Sequence, residues 1–207
     1  MPKEIKKTEL FDIFDLKKIE TPRLIIRPVK LGDQFEISEA IWASLEDLQR
    51  WMPWAKDPSF ETTEAFVKKS DMGWHNRRAE DFPMVVMHKE DQKIIGATGF
   101  NEQSDPQKGI YEIGYWMHKK YQGKGLMREC VNALTKFALV ALQAKYVQIC
   151  TQTDNNKSVL IAKSCGYQLE ETLKTHRIDC LSGKSADSFL FVCDCAEKLP
   201  GLAVDWK

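Results

Sequence analysis

The feature that most constrains the fold is one continuous unit. It is a strand followed by a glycine loop and by an amphipathic helix that leads into another strand. The segment 110–117 is rich in β-forming residues, Gly123 and Gly125 follow, and the helix expected at 124–142 precedes a strand at 146–151. Two strands joined through a helix lie parallel in one sheet, because the connection crosses back over a face of that sheet. This unit therefore predicts a parallel pair inside a larger sheet.

Hairpin patterns surround this unit. Strand-forming segments at 82–87 and 93–100 are separated by the polar turn Glu90-Asp91-Gln92, and Asp105-Pro106 marks the next turn. Such short connections favour antiparallel neighbours. The other predicted elements are a first strand at 23–28, helices at 31–50, 62–78 and 155–164, and a last strand at 188–193. We therefore predict the α/β class, with a mixed, mostly antiparallel central sheet and helices on both faces.

The length and charge of the chain bound its class. A chain of 207 residues can bury one core, which we place at 20–195, between an N-terminal arm at 1–19 and a C-terminal tail at 196–207. Thirty basic residues balance thirty acidic ones, which argues against bulk nucleic-acid binding. The sequence shows no apolar run of bilayer length and no signal peptide, so we expect a cytoplasmic protein without a membrane partner.

Metal and disulfide chemistry are not indicated. The chain has six cysteines, and without an export signal we expect thiols rather than disulfides. Cys193 and Cys195 have no second pair at zinc-finger spacing, and the four histidines are scattered. We therefore predict no metal site.

The loop at 121–127 is the first candidate for chemistry. Gly123 and Gly125 allow positive φ and a close approach of the backbone, and the start of the following helix leaves N–H groups unpaired. Such a loop binds anions, a pyrophosphate above all, although a plain strand-to-helix turn has the same pattern. It is not a Walker loop, because Lys124 is not followed by Ser or Thr. It is not the dinucleotide fingerprint, because Arg128 replaces the third glycine.

A second candidate begins about thirty residues later, at Asn155-Asn156-Lys157-Ser158. Asn155 and Ser158 lie three residues apart at a predicted helix start, so their side chains project to one side. Ordinary helix capping explains the same pattern.

Together, the loop that begins at Gln122, the Asn155-x-x-Ser158 motif and Gly166-Tyr167 resemble the GNAT acetyltransferases. Within them the chain resembles the RimJ/RimL branch, which acetylates the N-terminal amines of ribosomal proteins. Four further stretches agree, at 20–28, 48–54, 111–116 and 182–184 with Asp187. The resemblance covers roughly residues 20–195.

The resemblance implies that acetyl-CoA is the cosubstrate and that an amine attacks its thioester directly in a ternary complex. It assigns the CoA pyrophosphate to backbone N–H groups of Gln122, Gly123, Lys124, Gly125, Leu126 and Met127.

The rest of the coenzyme site is implied in the same way. The main chain of Trp116, Met117 and His118 would bind the pantetheine arm. Asn155 would contact that arm, and Ser158 would donate a proton to the leaving thiolate.

The general base has three candidates. Glu112 could act directly or through a water, or merely pair with a neighbouring Arg or Lys. His118 has a suitable ordinary pKa, and His176 stands where the branch pattern carries a Glu. Trp51 and Trp54 either line the acceptor cleft or pack the first helices onto the sheet.

Three functions follow from these residues. The leading one is acetylation of a protein N-terminal α-amine, on a ribosomal protein in particular. The first alternative is a small amine such as a polyamine or an amino sugar, whose pocket would need carboxylates; Glu46, Asp47 and Glu102 are available. The second alternative is a non-catalytic CoA-binding sensor. A homodimer is also plausible on general grounds.

Overall fold

A nine-stranded open sheet flanked by five α-helices forms the part of the chain that the computed structural model describes, residues 10–207. The strands are β1 (Ile19–Glu20), β2 (Leu24–Pro28), β3 (Phe82–His88), β4 (Lys93–Phe100), β5 (Ile110–Met117), β6 (Tyr146–Gln152), β7 (Gln168–Ile178), β8 (Ser185–Cys193) and β9 (Asp205–Trp206). The helices are α1 (Gln34–Trp42), α2 (Leu45–Trp51), α3 (Phe60–His75), α4 (Leu126–Val140) and α5 (Asn156–Ser164).

The strand order is β7-β8-β6-β5-β4-β3-β2-β1-β9. The β5–β6 pair is parallel, as the connection through α4 predicts, and the remaining neighbours are antiparallel. The predicted fold class, a mixed and mostly antiparallel sheet in an α/β protein, is confirmed.

Two apolar layers hold the helices to opposite faces of the sheet. On one face α4 buries Cys130, Leu134 and Phe137, which lie at helical spacing and pack with β5 residues such as Ile113. A second cluster on the other face joins α1 and α2 to the sheet around Val85 and neighbouring strand residues.

The strands separate between β5 and β6. Their parallel ladder pairs Ile110–Glu112 with Tyr146–Gln148 and then stops. Beyond it, β6 continues along β8 and β5 continues along β4. We call the opening between residues 113–117 and 149–152 the strand gap.

The predicted helix at 31–50 is two helices in the structure, α1 and α2. The break falls at Ser44, whose buried hydroxyl accepts a hydrogen bond from the Lys119 N–H at 2.8 Å instead of capping α2. This long-range contact fixes α2 beside the loop that follows β5.

Both ends of the described chain pack onto the domain. β1 pairs with β2 through Ile19 and Ile26, and with β9 through Ile19 and Trp206. Ile19 of the predicted arm and Asp205–Trp206 of the predicted tail thus extend the sheet, whereas residues 1–9 lie outside the described residues. All six cysteines are free thiols. In residues 10–207, no helix has the length and apolarity needed to cross a membrane.

Candidate active site

A cleft of about 1140 Å³ opens at the strand gap. Residues of β5, β6, α2 and α5 line it, and they bring together most of the predicted site. The predicted site residues on its wall are Trp51, Trp54, Glu112, Trp116, Met117, Gln122, Met127, Asn155, Ser158 and His176.

Main-chain groups of β5 face the strand gap at alternate positions. The N–H of His118 donates to the Ile95 carbonyl on β4 at 2.8 Å, so it is not free for a ligand. Because backbone groups alternate in direction along a strand, Trp116 shares this β4 side, whereas Met117 and Tyr115 point toward the gap. Of the three predicted main-chain contacts to pantetheine, only Met117 has the required direction.

The glycine loop has the backbone that its sequence predicts. Gly123 and Gly125 both have φ near +74°, in the left-handed region that side chains avoid. The first helical bond of α4 runs from the Glu129 N–H to the Gly125 carbonyl at 3.1 Å, and no side chain in the described chain caps the helix. The N–H groups of the first turn therefore remain available for an anion.

An ion pair between Arg23 and Glu129 holds this loop in place. The Arg23 Nε donates to Oε2 of the buried Glu129 at 2.6 Å, and its Nη1 donates to the Lys124 carbonyl at 3.0 Å. The Thr21 hydroxyl adds a bond to Glu129 Oε1 at 2.6 Å. Arg23 and Thr21 both bond Glu129, and Arg23 also bonds the loop. These contacts fix the start of α4 before any ligand binds.

Positive charge surrounds the same loop. Lys157 Nζ, in the first turn of α5, donates to Gln122 Oε1 at 3.0 Å. Lys124 Nζ lies 5.4 Å from the centre of the Tyr121 ring. Two helix starts and these lysines form a positively charged, anion-binding surface suited to the phosphates of a coenzyme.

Ser158 lies in the cleft with a partner that the sequence analysis missed. Its hydroxyl is 2.7 Å from the Tyr115 hydroxyl, and either oxygen can donate. Burial raises the pKa of Tyr115 well above its usual value, so this phenol stays protonated. Asn155 caps α5 by accepting the Ser158 N–H at 3.2 Å. The pair can pass a proton toward the cleft.

Glu112 is 4% exposed and held by neutral amides, not by the Arg or Lys considered above. Its Oε1 accepts from Asn101 Nδ2 at 2.9 Å, and its Oε2 accepts from Gln148 Nε2 at 2.8 Å. Both side-chain oxygens of Glu112 are thus hydrogen-bonded, and the residue lines the cleft.

The two histidine candidates differ in position. His118 Nδ1 accepts the Lys120 N–H at 3.0 Å, burial lowers the pKa of the ring, and the ring is not on the cleft wall. His176 does line the cleft. A register shift in β7, with Thr175 at φ 49°, directs its Nδ1 to 3.3 Å from Ser188 Oγ.

Aromatic and acidic side chains form the outer part of the cleft. The rings of Trp54 and Trp116 lie 6.0 Å apart at 56°, and Arg50 stacks over Trp51 at 4.2 Å. Both predicted cleft tryptophans therefore border the opening. The cleft is lined by two cationic side chains, Lys157 and Arg177, and by five carboxylates. The carboxylates are Asp47, Asp57, Asp81, Glu102 and Glu112.

Comparison with known proteins decides the family. A model described as an acetyltransferase (GNAT) domain matches residues 23–168, more than half of the chain. The chain belongs to the GNAT acetyltransferase family. The predicted resemblance and the class of enzyme are thereby confirmed.

This GNAT acetyltransferase has curated relatives at modest identity. The uncharacterized N-acetyltransferase p20 of Bacillus licheniformis is 28% identical over 114 residues, 55% of this chain and 61% of that protein. The chain thus spans less than two thirds of that relative. The ribosomal-protein-serine acetyltransferase of Escherichia coli (strain K12) is 27% identical over 127 residues, 61% of this chain and 69% of that protein.

A solved structure supports the fold. RimL, a ribosomal L7/L12 alpha-N-protein acetyltransferase in complex with coenzyme A, has a TM-score of 0.78 at 20% identity. The match covers 87% of this chain and 99% of that chain. At this identity the likeness shows a shared fold.

Proposed function

We propose that this GNAT acetyltransferase transfers the acetyl group of acetyl-CoA to the α-amine of a protein N-terminus. The observation that carries the proposal is the strand gap, flanked by a glycine loop with free N–H groups and by the Tyr115–Ser158 pair. The gap accepts an extended coenzyme arm alongside β5, with the phosphates at the start of α4.

Acetyl transfer needs a base for the amine proton, a donor that stabilises the oxyanion and an acid for the thiolate, and this cleft holds candidates for each. The amine attacks the thioester carbon and its proton passes to Glu112 or His176, directly or through a water. The Met117 N–H, directed into the gap, stabilises the oxyanion of the tetrahedral intermediate. When the C–S bond breaks, Ser158 donates a proton to the thiolate, and the proton that the base took from the amine replaces it through water in the cleft. Tyr115 stays protonated and hydrogen-bonded to Ser158 throughout.

An α-amine suits these groups energetically. At pH 7, deprotonation costs about 1 kcal/mol for an α-amine and about 4.6 kcal/mol for a lysine side chain. The E. coli relative is named for acetylating a ribosomal protein, which favours the same class of acceptor. A ribosomal-protein N-terminus is therefore the first acceptor to examine.

The acidic lining favours a second candidate, a cationic small amine. Asp47 and Glu102 reach the cleft as a polyamine enzyme requires, whereas Glu46 does not. A carboxylate-rich wall attracts any ammonium group, including that of a peptide.

Release of free CoA, measured with peptides that begin with Ser or Ala and separately with polyamines and amino sugars, tests the proposal. We expect turnover with the peptides. Turnover with the small amines alone would assign the second candidate. Acetyl-CoA binding without turnover in either pool would leave a CoA-binding sensor.

A further inference from the structure

One positive charge on the cleft wall has no counter-charge. Arg177 of β7 lines the cleft and is half-buried. Within residues 10–207 it forms no ion pair, and its one hydrogen bond is long, from Nη2 to the Cys150 carbonyl at 3.5 Å. A guanidinium group carries five N–H donors, and burial of a charge is unfavourable unless an anion compensates it. The unused donors on a binding wall therefore point to an anionic group of a ligand.

Lys157, the other cation of the cleft wall, is already engaged. Its Nζ donates to Gln122 Oε1 at 3.0 Å and lies 3.9 Å from a carboxylate oxygen of Asp47. It also belongs to the surface that faces the coenzyme phosphates. Among the described residues of the cleft wall, Arg177 is therefore the cation left for a different anion.

Contacts with Cys150 place the guanidinium group in the half of the cleft that holds the proposed bases. Side chains alternate along β6, so the Cys150 thiol shares a face with Gln148, the partner of Glu112, and not the face that packs against α4. His176 Nδ1 lies 3.8 Å from the thiol. Burial raises the pKa of the Cys150 thiol, and the charge of Arg177 partly offsets that rise. Arg177 and the proposed bases thus surround one thiol, away from the phosphate-binding loop.

An irregularity in β7 brings Arg177 to this position. Successive side chains of a regular strand point to opposite faces, yet His176 and Arg177 both reach Cys150. The pairing of β7 with β8 shifts register between Leu173 and Arg177, and Thr175 has φ 49°. The shift directs two adjacent side chains into the cleft, where a regular strand would direct only one.

The spacing between the bases and Arg177 fits the first two residues of a peptide. An α-amine that gives its proton to His176 or Glu112 lies within hydrogen-bond distance of that base. The second residue of the same peptide follows about 3.3–3.6 Å further along an extended chain. A carboxylate there can form two parallel, charge-assisted hydrogen bonds with a guanidinium group. A polyamine has no anionic group and would leave Arg177 without a counter-charge.

Resting on the proposed function, we propose that Arg177 binds the side-chain carboxylate of an acidic second residue in the acceptor polypeptide. Arg177 is then a specificity-determining residue, and the enzyme favours N-termini whose second residue is Asp or Glu over those with a neutral or basic second residue. The carboxylates of the cleft wall attract the α-amine, and Arg177 attracts the acidic side chain beside it.

The test compares two peptides that differ only in the second side chain. One begins Ser-Asp and the other begins Ser-Asn, which has the same shape without the charge. Wild type should show kcat/KM roughly 5- to 20-fold higher for the Ser-Asp peptide, because asparagine leaves the guanidinium group without an anion. Added salt should reduce this ratio, because the interaction is between charges.

Three variants locate the origin of the ratio. Arg177→Met should bring the ratio close to one. Arg177→Lys should keep part of it, because the charge remains without the planar fork of donors. Lys174→Met is the matched control, because it removes a cation that lies on the same strand outside the cleft wall, paired with Asp187. It should keep the wild-type ratio.

The outcomes separate this inference from the proposed function. Wild type that acetylates both peptides equally overturns the role of Arg177 and leaves α-amine transfer intact. The full ratio in a folded Arg177→Met variant also overturns it, as does weaker acetyl-CoA binding in that variant with the ratio unchanged. If wild type acetylates neither peptide, the proposed function fails and the inference fails with it. The comparison within wild type requires no variant to fold.

Discussion

Replacing Glu112 by glutamine tests the catalytic arrangement most sharply. The substitution keeps the shape of the side chain but turns one acceptor oxygen into a donor that faces Asn101 or Gln148. Asn101 cannot simply turn its amide, because its Oδ1 already accepts the Gln103 N–H at 3.0 Å. We expect a loss of about 1–3 kcal/mol in the free energy of unfolding, or roughly 2–12 °C in Tm for a chain of this size.

Loss of the carboxylate should also change how the rate depends on pH. If Glu112 takes the amine proton, Glu112→Gln should lower kcat/KM at pH 7 by roughly 100- to 10,000-fold. The variant then depends on amine that is already neutral in solution. For an α-amine its rate should rise about tenfold between pH 7 and 9 and level off near pH 8. For a lysine-type amine it should rise about 100-fold over that range without levelling.

Steady-state rates from pH 6.5 to 9.5, corrected for the folded fraction, make this measurement. Gln148→Met is the matched control, because it removes one donor to Glu112 and leaves the carboxylate. It should lose comparable stability and keep the pH profile of wild type. A Glu112→Gln enzyme with wild-type kcat and wild-type pH dependence would refute the reasoning and make His176 the base to examine.

Three further perturbations test other parts of the site. Ser158→Ala should lower kcat roughly 100-fold or more with acetyl-CoA affinity nearly unchanged; wild-type kcat would exclude it as the proton donor. Gly125→Val places a branched side chain at φ 74° and should weaken acetyl-CoA binding about tenfold or more in calorimetry, whereas Gly183→Val, at φ 67° in a remote turn, should not. Hydrogen bonds from the β7–β8 turn and from Arg50 hold the pKa of Asp179 well below its usual value, so Asp179→Asn should lower Tm at pH 7. That Tm difference should persist down to about pH 4 and shrink as the pH falls further toward the lowered pKa of Asp179, and a pH-independent difference would refute the assignment.

Local patterns were sufficient for the elements that position the coenzyme. The glycines at Gly123 and Gly125 and the amphipathic face of α4 are encoded within a few residues, so the loop, the helix and the parallel pair follow from sequence. The split between α1 and α2 does not, because Ser44 leaves the helix for a partner 75 residues away. β1 and β9 are two-residue strands, too short to show alternation.

The missed site residues share one cause. Tyr115 reads as an ordinary β-former until Ser158, 43 residues later, is brought to its hydroxyl. The direction of the His118 N–H could be assigned only from the pairing of β5 with β4. That pairing shows that the N–H points toward β4 and away from the strand gap.

One peptide that contains both kinds of amine tests the central claim most directly. It begins with a free serine α-amine and carries an internal lysine, and it is offered with acetyl-CoA in competition with spermidine. Fragmentation mass spectrometry then locates each acetyl group over a single time course. The account predicts that the α-amine is acetylated before the lysine and the spermidine. Acetylation of spermidine or the lysine with the α-amine left free would contradict it.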